Sequence, residues 1–168
     1  ISVLPYNELG AAAAAYNADE KELCRLDEIY SAVKTPFEIR SGSEKVTRRF
    51  FKICNNGRES FTGLYKSLTE QGICKGHQCI AYGLYMRDNG IELSEGLAVY
   101  GYSICSAIVT NCVKLVPLSQ LAGQKILGES FELISSAFTD INDIGISGAG
   151  FDLRAMQHER LYSRQYMS

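Results

Sequence analysis

A long uncharged stretch constrains the fold of this chain more than any other feature of its sequence. From Leu97 to Val113 there is no charged residue, and small residues such as Gly101 and Ala107 recur along the stretch. A helix that is apolar or small on every side is stable where other helices cover it. Pro117 ends such a helix, because proline has no backbone N–H and clashes with the preceding turn. We therefore expect a buried helix before Pro117.

A second helix is expected directly after this proline. Ser119 can cap its first turn, as Ser94 can cap the first turn of the uncharged helix, because a serine hydroxyl accepts a hydrogen bond from a free backbone N–H. The two helices form a predicted hairpin at residues 94–127. We interpret this hairpin as the central, buried element on which the rest of the chain packs.

The uncharged stretch also has the length of a membrane span, for which about 20 apolar residues are needed. Against this alternative stand its polar and aromatic residues Tyr100, Tyr102, Ser103, Ser106, Thr110 and Asn111. The sequence offers no second span, and we recognise no signal-like segment before it. We therefore expect a chain that does not enter a membrane.

Composition favours a single all-α domain. The chain has 168 residues, of which 46% are hydrophobic and 21% charged, as is usual for a globular domain. No alternating strand pattern is sustained, whereas helical spacing of apolar residues recurs. The net charge of −2 gives no reason to expect a nucleic acid or an anionic membrane as partner.

Further helices are expected along the whole chain. Thr35, Pro36 and Glu38 suggest a capping box with proline at the first helical position. The predicted helices outside the hairpin cover residues 4–18, 19–33, 36–53, 59–71 and 77–88 before it, and its second helix continues to 138. Residues 139–150 contain three glycines and are predicted to be a mobile linker. This gives a helical bundle at 1–150 and a helical, partner-binding tail at 151–168.

The six cysteines leave one alternative function open. Cys74, His77 and Cys79 lie close together, as metal ligands or a thiolate–imidazole pair would. Their spacing matches no usual structural zinc pattern, and no second ligand pair follows. We prefer free thiols in a reducing cytoplasm, and keep a Cys/His metal-binding protein or thiol enzyme as the alternative.

No other arrangement of residues indicates catalysis. The chain lacks a Gly-x-Ser-x-Gly elbow and a His-Glu-x-x-His motif, and its only histidines are His77 and His158. Adjacent residues on a helix do not face the same way, so His158 and Glu159 do not form an obvious catalytic pair. The residues themselves therefore predict no more than a soluble, cytoplasmic helical bundle with a tail suited to binding.

Two long motifs carry a resemblance to a known family. They are the C-terminal stretch Ala155–Ser168, which reads AMQHERLYSRQYMS, and the stretch Cys112–Leu127, which reads CVKLVPLSQLAGQKIL. Weaker matches in the same order are Leu26-Asp27, Thr35–Arg40, Arg49-Phe50, Gly76-His77 and Ala81–Gly83. The chain resembles the UreF family of urease accessory proteins over nearly its whole length. An N-terminal region that family members carry, with a Ser-x-Gly-Leu-Glu motif, is not found in it.

The resemblance implies a cytoplasmic all-α protein that is not an enzyme and acts as a scaffold or chaperone in urease maturation. Such a protein bridges a second accessory protein, UreD (also called UreH), and the GTPase UreG, and modulates the GTPase. The complex delivers nickel to apo-urease. The resemblance also implies a homodimer and nickel binding at the level of the complex. We expect no cofactor in this chain itself.

The resemblance also directs attention to particular partner-binding residues. In the tail, aromatic rings and an arginine are types that dominate interface hot spots. Lys114, near the end of the uncharged helix, is a predicted contact with UreG. Gln120 and Gln124, one turn apart, are expected to hydrogen-bond inside the hairpin or to line a polar passage. The predicted contacts with UreD/UreH are His158, Glu159, Tyr162, Ser163, Arg164 and Tyr166.

Overall fold

The structure is a computed structural model that describes residues 5–54, 57, 59–136, 144, 145 and 148–161. A π-helical turn at Pro5–Leu9 leads into the first α-helix. The α-helices are α1 Gly10–Asn17, α2 Glu20–Val33, α3 Phe37–Ile53, α4 Phe61–Glu70, α5 Gln78–Asp88, α6 Leu93–Leu115, α7 Gln120–Ser136 and α8 Ala149–His158. The residues described contain no strand, and the all-α prediction is confirmed.

Helix α1 lies at the centre of the core. Its alanines Ala11, Ala12 and Ala15 are fully buried, and it packs most extensively against α5. Small side chains let the two helix backbones approach closely. At the crossing, a Cβ atom added to Gly83 would lie 2.2 Å from the carbonyl oxygen of Ala12. Glycine is therefore required at this position for α5 to lie against α1.

The predicted hairpin forms, but its central, buried position is wrong. Helices α6 and α7 pack side by side, with Pro117 between them, and Ser119 Oγ accepts a hydrogen bond from Ala122 N at 3.1 Å. Only the first half of α6 reaches the core, through residues such as Leu97 and Tyr100. Because α1 occupies the centre, the second half of α6 and much of α7 lie at the periphery, and Ile108 is 56% exposed.

Helix α6 also has the length and apolar composition of a membrane span, and it is the one such helix in the part of the chain that the structure describes. A single helix of this kind is weak evidence for a membrane, because helices in the cores of soluble proteins share these properties. In the structure, the rest of the described chain covers only a minor part of this apolar helix.

Two predicted caps differ from those observed. Helix α3 begins at Phe37 without a side-chain cap, because Thr35 Oγ1 donates instead to Val33 O at 3.4 Å. The cap of α6 is Glu92, whose carboxylate accepts from Glu95 N at 3.0 Å, and the hydroxyl of Ser94 donates to the same carboxylate. Glu92 therefore takes the capping role that we expected for Ser94.

The described part of the predicted glycine linker is held in place. Gly145 N donates to Tyr6 O at 2.6 Å, and Asn7 Nδ2 donates to Gly145 O at 3.2 Å. Gly148 then begins α8, which packs against α3. The mobility of residues 139–150 stays a prediction, and residues 137–143 and 146–147 lie outside the described part. The division at residue 150 stays a prediction.

Two glycine-to-alanine substitutions test the close crossing of α1 and α5. We expect Gly83→Ala to lower the free energy of unfolding by roughly 1–3 kcal/mol or more, because the added methyl meets backbone that has to move. The matched control is Gly42→Ala in α3, where a Cβ meets nothing within 4 Å. It should stabilise the fold by about 0.5–1 kcal/mol through helix propensity. Equal urea midpoints for the two variants would contradict the close crossing.

Candidate partner-binding surface

Large apolar side chains are exposed on α6, α7, α8 and the bend between α6 and α7. We call them the α6–α8 apolar residues: Val99, Tyr102, Ile108, Leu115, Val116, Leu121, Ile126, Phe131, Leu133, Phe151 and Leu153. Scattered exposed leucines are normal in proteins, but so many on successive helices are typical of an interaction surface. The α6–α8 apolar residues are therefore a candidate surface for contact with other proteins.

An apolar cavity of about 730 Å³ lies among these helices, the π-helical turn and the start of α3. Its apolar lining comes from Pro36, Ile39, Ile104, Cys105, Ile108, Val109, Ile126 and Phe151. Volumes of a few hundred to a thousand Å³ are usual for sites that enclose a ligand or an inserted side chain. The polar lining groups are few, and they include Glu8, Lys34 and the buried Asp152.

The polar end of the cavity is formed by an ion pair between Lys34 and Glu8. Lys34 Nζ contacts the Glu8 carboxylate and also donates to the Tyr30 hydroxyl at 3.1 Å. The hydroxyl of Tyr100 donates to the other carboxylate oxygen of Glu8 at 3.3 Å. A buried charge that is paired and hydrogen-bonded in this way holds structure together and has little capacity left for chemistry. The arrangement suits binding of an apolar group and indicates no reaction.

The hairpin residues predicted to bind partners lie near the bend between α6 and α7. Lys114 is exposed in the last turn of α6, in agreement with a surface role. Gln120 and Gln124 are exposed on α7. The expectation that these glutamines bond inside the hairpin or line a polar passage is therefore wrong, because the two helices meet through apolar and small residues instead. Their role as partner contacts stays a prediction.

The predicted tail residues are divided by the limit of the described chain. His158 ends α8, and its Nδ1 lies 2.5 Å from Glu38 Oε2 on α3. Glu159 is exposed directly after this contact. The remaining predicted contacts, Tyr162, Ser163, Arg164 and Tyr166, lie outside the described residues. The structure thus brings the start of the tail onto α3 and leaves the partner-binding prediction untested.

The alternative site at Cys74, His77 and Cys79 is buried and serves the core. His77 Nε2 lies 2.7 Å from Ser31 Oγ, and its ring packs edge-on against Tyr30 with 4.9 Å between centroids. Burial lowers the pKa of His77 to about 4 and raises the pKa of both thiols. Neutral thiols beside a neutral imidazole do not make a nucleophile pair.

Metal binding at this position is not favoured either. Across the described ranges, no group of three histidine, cysteine, aspartate or glutamate side chains is placed to hold a metal ion. A structural zinc site needs four such ligands around one point. The geometry therefore does not favour the alternative function of a Cys/His metal-binding protein or thiol enzyme.

The sequence patterns did not lead us to a buried carboxylate, that of Asp27, which lies beside Cys74 and His77 and accepts several hydrogen bonds. Asp27 of α2 accepts hydrogen bonds from the Tyr65 hydroxyl at 2.6 Å, Lys75 N at 2.7 Å and Gly76 N at 3.1 Å. The Tyr65 hydroxyl in turn accepts from His77 N at 2.8 Å. A signal was present, since Asp27 lies four residues after the buried Leu23 and so falls on the inner face of α2.

The buried, neutral His77 predicts how stability depends on pH. Its pKa of about 4 in the folded chain is below the usual 6.5, so the unfolded chain binds the proton more readily. The stabilising contribution is present above about pH 6.5 and is lost as the pH falls toward 4. Between about pH 7 and about pH 5 we expect a loss of roughly 2 kcal/mol. Urea titrations should show that the free energy of unfolding falls less over this pH range for His77→Asn than for the wild-type chain. Equal falls in the two proteins would show that His77 is not the cause of the pH dependence.

Comparison with known sequences gives the relationship directly. The UreF family profile matches residues 3–130. Urease accessory protein UreF of Haemophilus influenzae is 33% identical over 174 aligned residues, covering 97% of this chain and 74% of that protein. The UreF proteins of Paenarthrobacter aurescens and Arthrobacter sp. are each 31% identical over 152 residues, covering 85% of this chain and 67% and 66% of those proteins. The chain thus spans about two thirds to three quarters of these relatives and belongs to the UreF family of urease accessory proteins.

Proposed function

We propose that this chain is a scaffold for nickel insertion into apo-urease, which joins UreD/UreH to the GTPase UreG and modulates the GTPase. The observation that carries the proposal is its membership of the UreF family, over most of the chain. Members of this family are accessory proteins, and the chain is accordingly not an enzyme. The proposed setting is the cytoplasm, where the complex and not this chain alone handles nickel.

The exposed apolar residues support a scaffold. A protein that works by holding other proteins needs surface that is stabilised when a partner covers it. The α6–α8 apolar residues provide such surface, and the cavity beside Phe151 provides depth for inserted side chains. The hydrogen bond from the Tyr100 hydroxyl to Glu8 joins α6 to the π-helical turn, and the contact of His158 with Glu38 joins α8 to α3.

The proposed contact with UreD/UreH is the C-terminal tail. The contact of His158 with Glu38 fixes the end of α8 on α3, so the segment that follows starts from a defined position. That segment carries Tyr162, Arg164 and Tyr166, and arginine and tyrosine combine large contact area with directed hydrogen bonds. Lys114, exposed at the bend of the hairpin, is the proposed contact with UreG.

The decisive experiment for this proposal is co-purification of the full-length gene product with UreD/UreH and with UreG. We expect each to be retained on the tagged protein, and nickel to be inserted into apo-urease when all are combined. If neither protein is retained, the proposed function is wrong.

The tail contact is tested by one substitution with a matched control. We expect Arg164→Ala to weaken binding of UreD/UreH at least about tenfold, since an arginine anchor in an interface contributes roughly 2 kcal/mol or more. The control, Arg25→Ala, removes an exposed arginine from α2 and should leave binding unchanged. Titration calorimetry measures both, and thermal melts should be similar. Equal affinities, or a large loss of stability with Arg164→Ala, would argue against a docking tail.

A second part of the proposal is self-association through the α6–α8 apolar residues. If two copies packed against each other through these residues, they would bury apolar area that is exposed to water in the single chain. Homodimer interfaces are usually rich in such apolar area.

Two glutamate substitutions at equally exposed positions test this interface. Leu121 on α7 and Ile53 on α3 are each 82% exposed. We expect Leu121→Glu to shift the protein from dimer to monomer, because a charge in an apolar interface loses its hydration. Ile53→Glu should leave the dimer intact. Light scattering after size exclusion gives the masses, and a dimer that survives Leu121→Glu would place the interface elsewhere.

A further inference from the structure

Two cysteine side chains from distant parts of the sequence meet at the surface of the core. Cys24 lies on α2, and Cys74 lies in the connection between α4 and α5. Their sulfur atoms are 3.8 Å apart, and both are free thiols. The two residues are 50 positions apart in the chain. Their contact is therefore a product of the tertiary structure and not of sequence neighbourhood.

The surrounding hydrogen bonds hold this contact in place. Cys24 and Asp27 are three residues apart and so share one side of α2. The carboxylate of Asp27 binds Lys75 N and Gly76 N, directly after Cys74, at 2.7 and 3.1 Å. Cys74 N donates to Leu68 O at 3.2 Å, which fixes the connection to the end of α4. The two thiols thus face each other in a rigid setting, which gives a high effective concentration.

We propose that Cys24 and Cys74 are an oxidation site at which hydrogen peroxide forms a reversible disulfide. This inference does not depend on the proposed role in urease maturation. It needs only the contact of the two sulfur atoms and a difference in their accessibility, since Cys24 is half-buried whereas Cys74 is 2% exposed.

The accessible thiol reacts first. The thiolate of Cys24 attacks one oxygen of the peroxide, the O–O bond breaks, and the departing hydroxide takes up a proton to leave as water. The product at Cys24 is a sulfenic acid. Cys74 is buried, and burial with the nearby charge of Asp27 raises the pKa of its thiol, so it remains protonated and protected from peroxide itself.

The buried thiol then resolves the sulfenic acid. A protonated thiol is a weak nucleophile, so the Cys74 proton has to be transferred as the new bond forms. The sulfur of Cys74 attacks the sulfur of Cys24, the S–O bond breaks, and the proton from Cys74 joins the departing hydroxide as a second water. Two thiols and one peroxide thus give one disulfide and two waters. The sulfur atoms have to approach by about 1.8 Å to reach a disulfide bond of about 2.0 Å.

The disulfide ties α2 to the α4–α5 connection. Closing a loop of this length restricts the unfolded chain and raises the melting temperature, by roughly 10 °C where the native geometry is little strained. Cellular thiols reverse the bond by exchange. The site would make the stability of the core responsive to peroxide.

Mapping of thiols in the wild-type chain tests the proposal without any substitution. The protein is treated with hydrogen peroxide, alkylated with iodoacetamide, digested and analysed by mass spectrometry. We expect an intact mass lower by about 2 Da and a linked peptide pair that contains Cys24 and Cys74, both reversed by dithiothreitol. The melting temperature should rise on oxidation. If both residues are alkylated after treatment while other cysteines are oxidised, the proposal is wrong.

Variants separate the two steps. In Cys74→Ser, dimedone should label Cys24, because its sulfenic acid is no longer resolved. In Cys24→Ser, the rise in melting temperature on oxidation should vanish. The matched control is Cys112→Ser, which changes a half-buried cysteine of α6 and should retain the linked peptide and the rise. Dimedone labelling of Cys112 in preference to Cys24 would overturn the assignment.

Discussion

The close packing of α1 on α5 is the contact on which the rest of the structure depends. It requires small residues on both helices, with alanines on α1 and Gly83 on α5 directly over the Ala12 carbonyl. Because α1 carries small side chains that are mostly buried, it fits into the centre of the core, which a helix with larger side chains would not. The apolar helices α6 and α7 then lie at the side, and a surface suited to other proteins is the result.

Buried polar groups complete this core. Asp27 joins α2 to α4 and to the connection after α4, and the pair of Glu8 and Lys34 joins the π-helical turn to the end of α2. Each charge is matched by a partner or by several donors, as buried charges need to be. His77 and Cys79 are held neutral by burial. His77 and Cys79, which look chemical in the sequence, are therefore buried parts of the core.

Sequence patterns predicted the helices well because each depends on local signals. Pro117 and Ser119 mark the bend between α6 and α7 by their own backbone and side-chain chemistry. It was harder to predict which helix is buried at the centre. An uncharged helix such as α6 and an alanine-rich helix such as α1 both have the composition of a central helix, and only tertiary packing decides between them. Thr35 and Ser94 had alternative acceptors nearby, so their caps were not formed. Gln120 and Gln124 are exposed because the hairpin lies at the periphery and not at the centre. Residues 162–168 lie outside the described part of the chain.

In the proposed function, the chain acts on urease through other proteins and performs no reaction itself. Deleting its gene and measuring nickel per active site in purified urease tests this claim most directly. The account predicts urease that is assembled but poor in nickel, with low activity that is restored when the gene is returned. Urease with full nickel content and full activity in the deletion strain would contradict it.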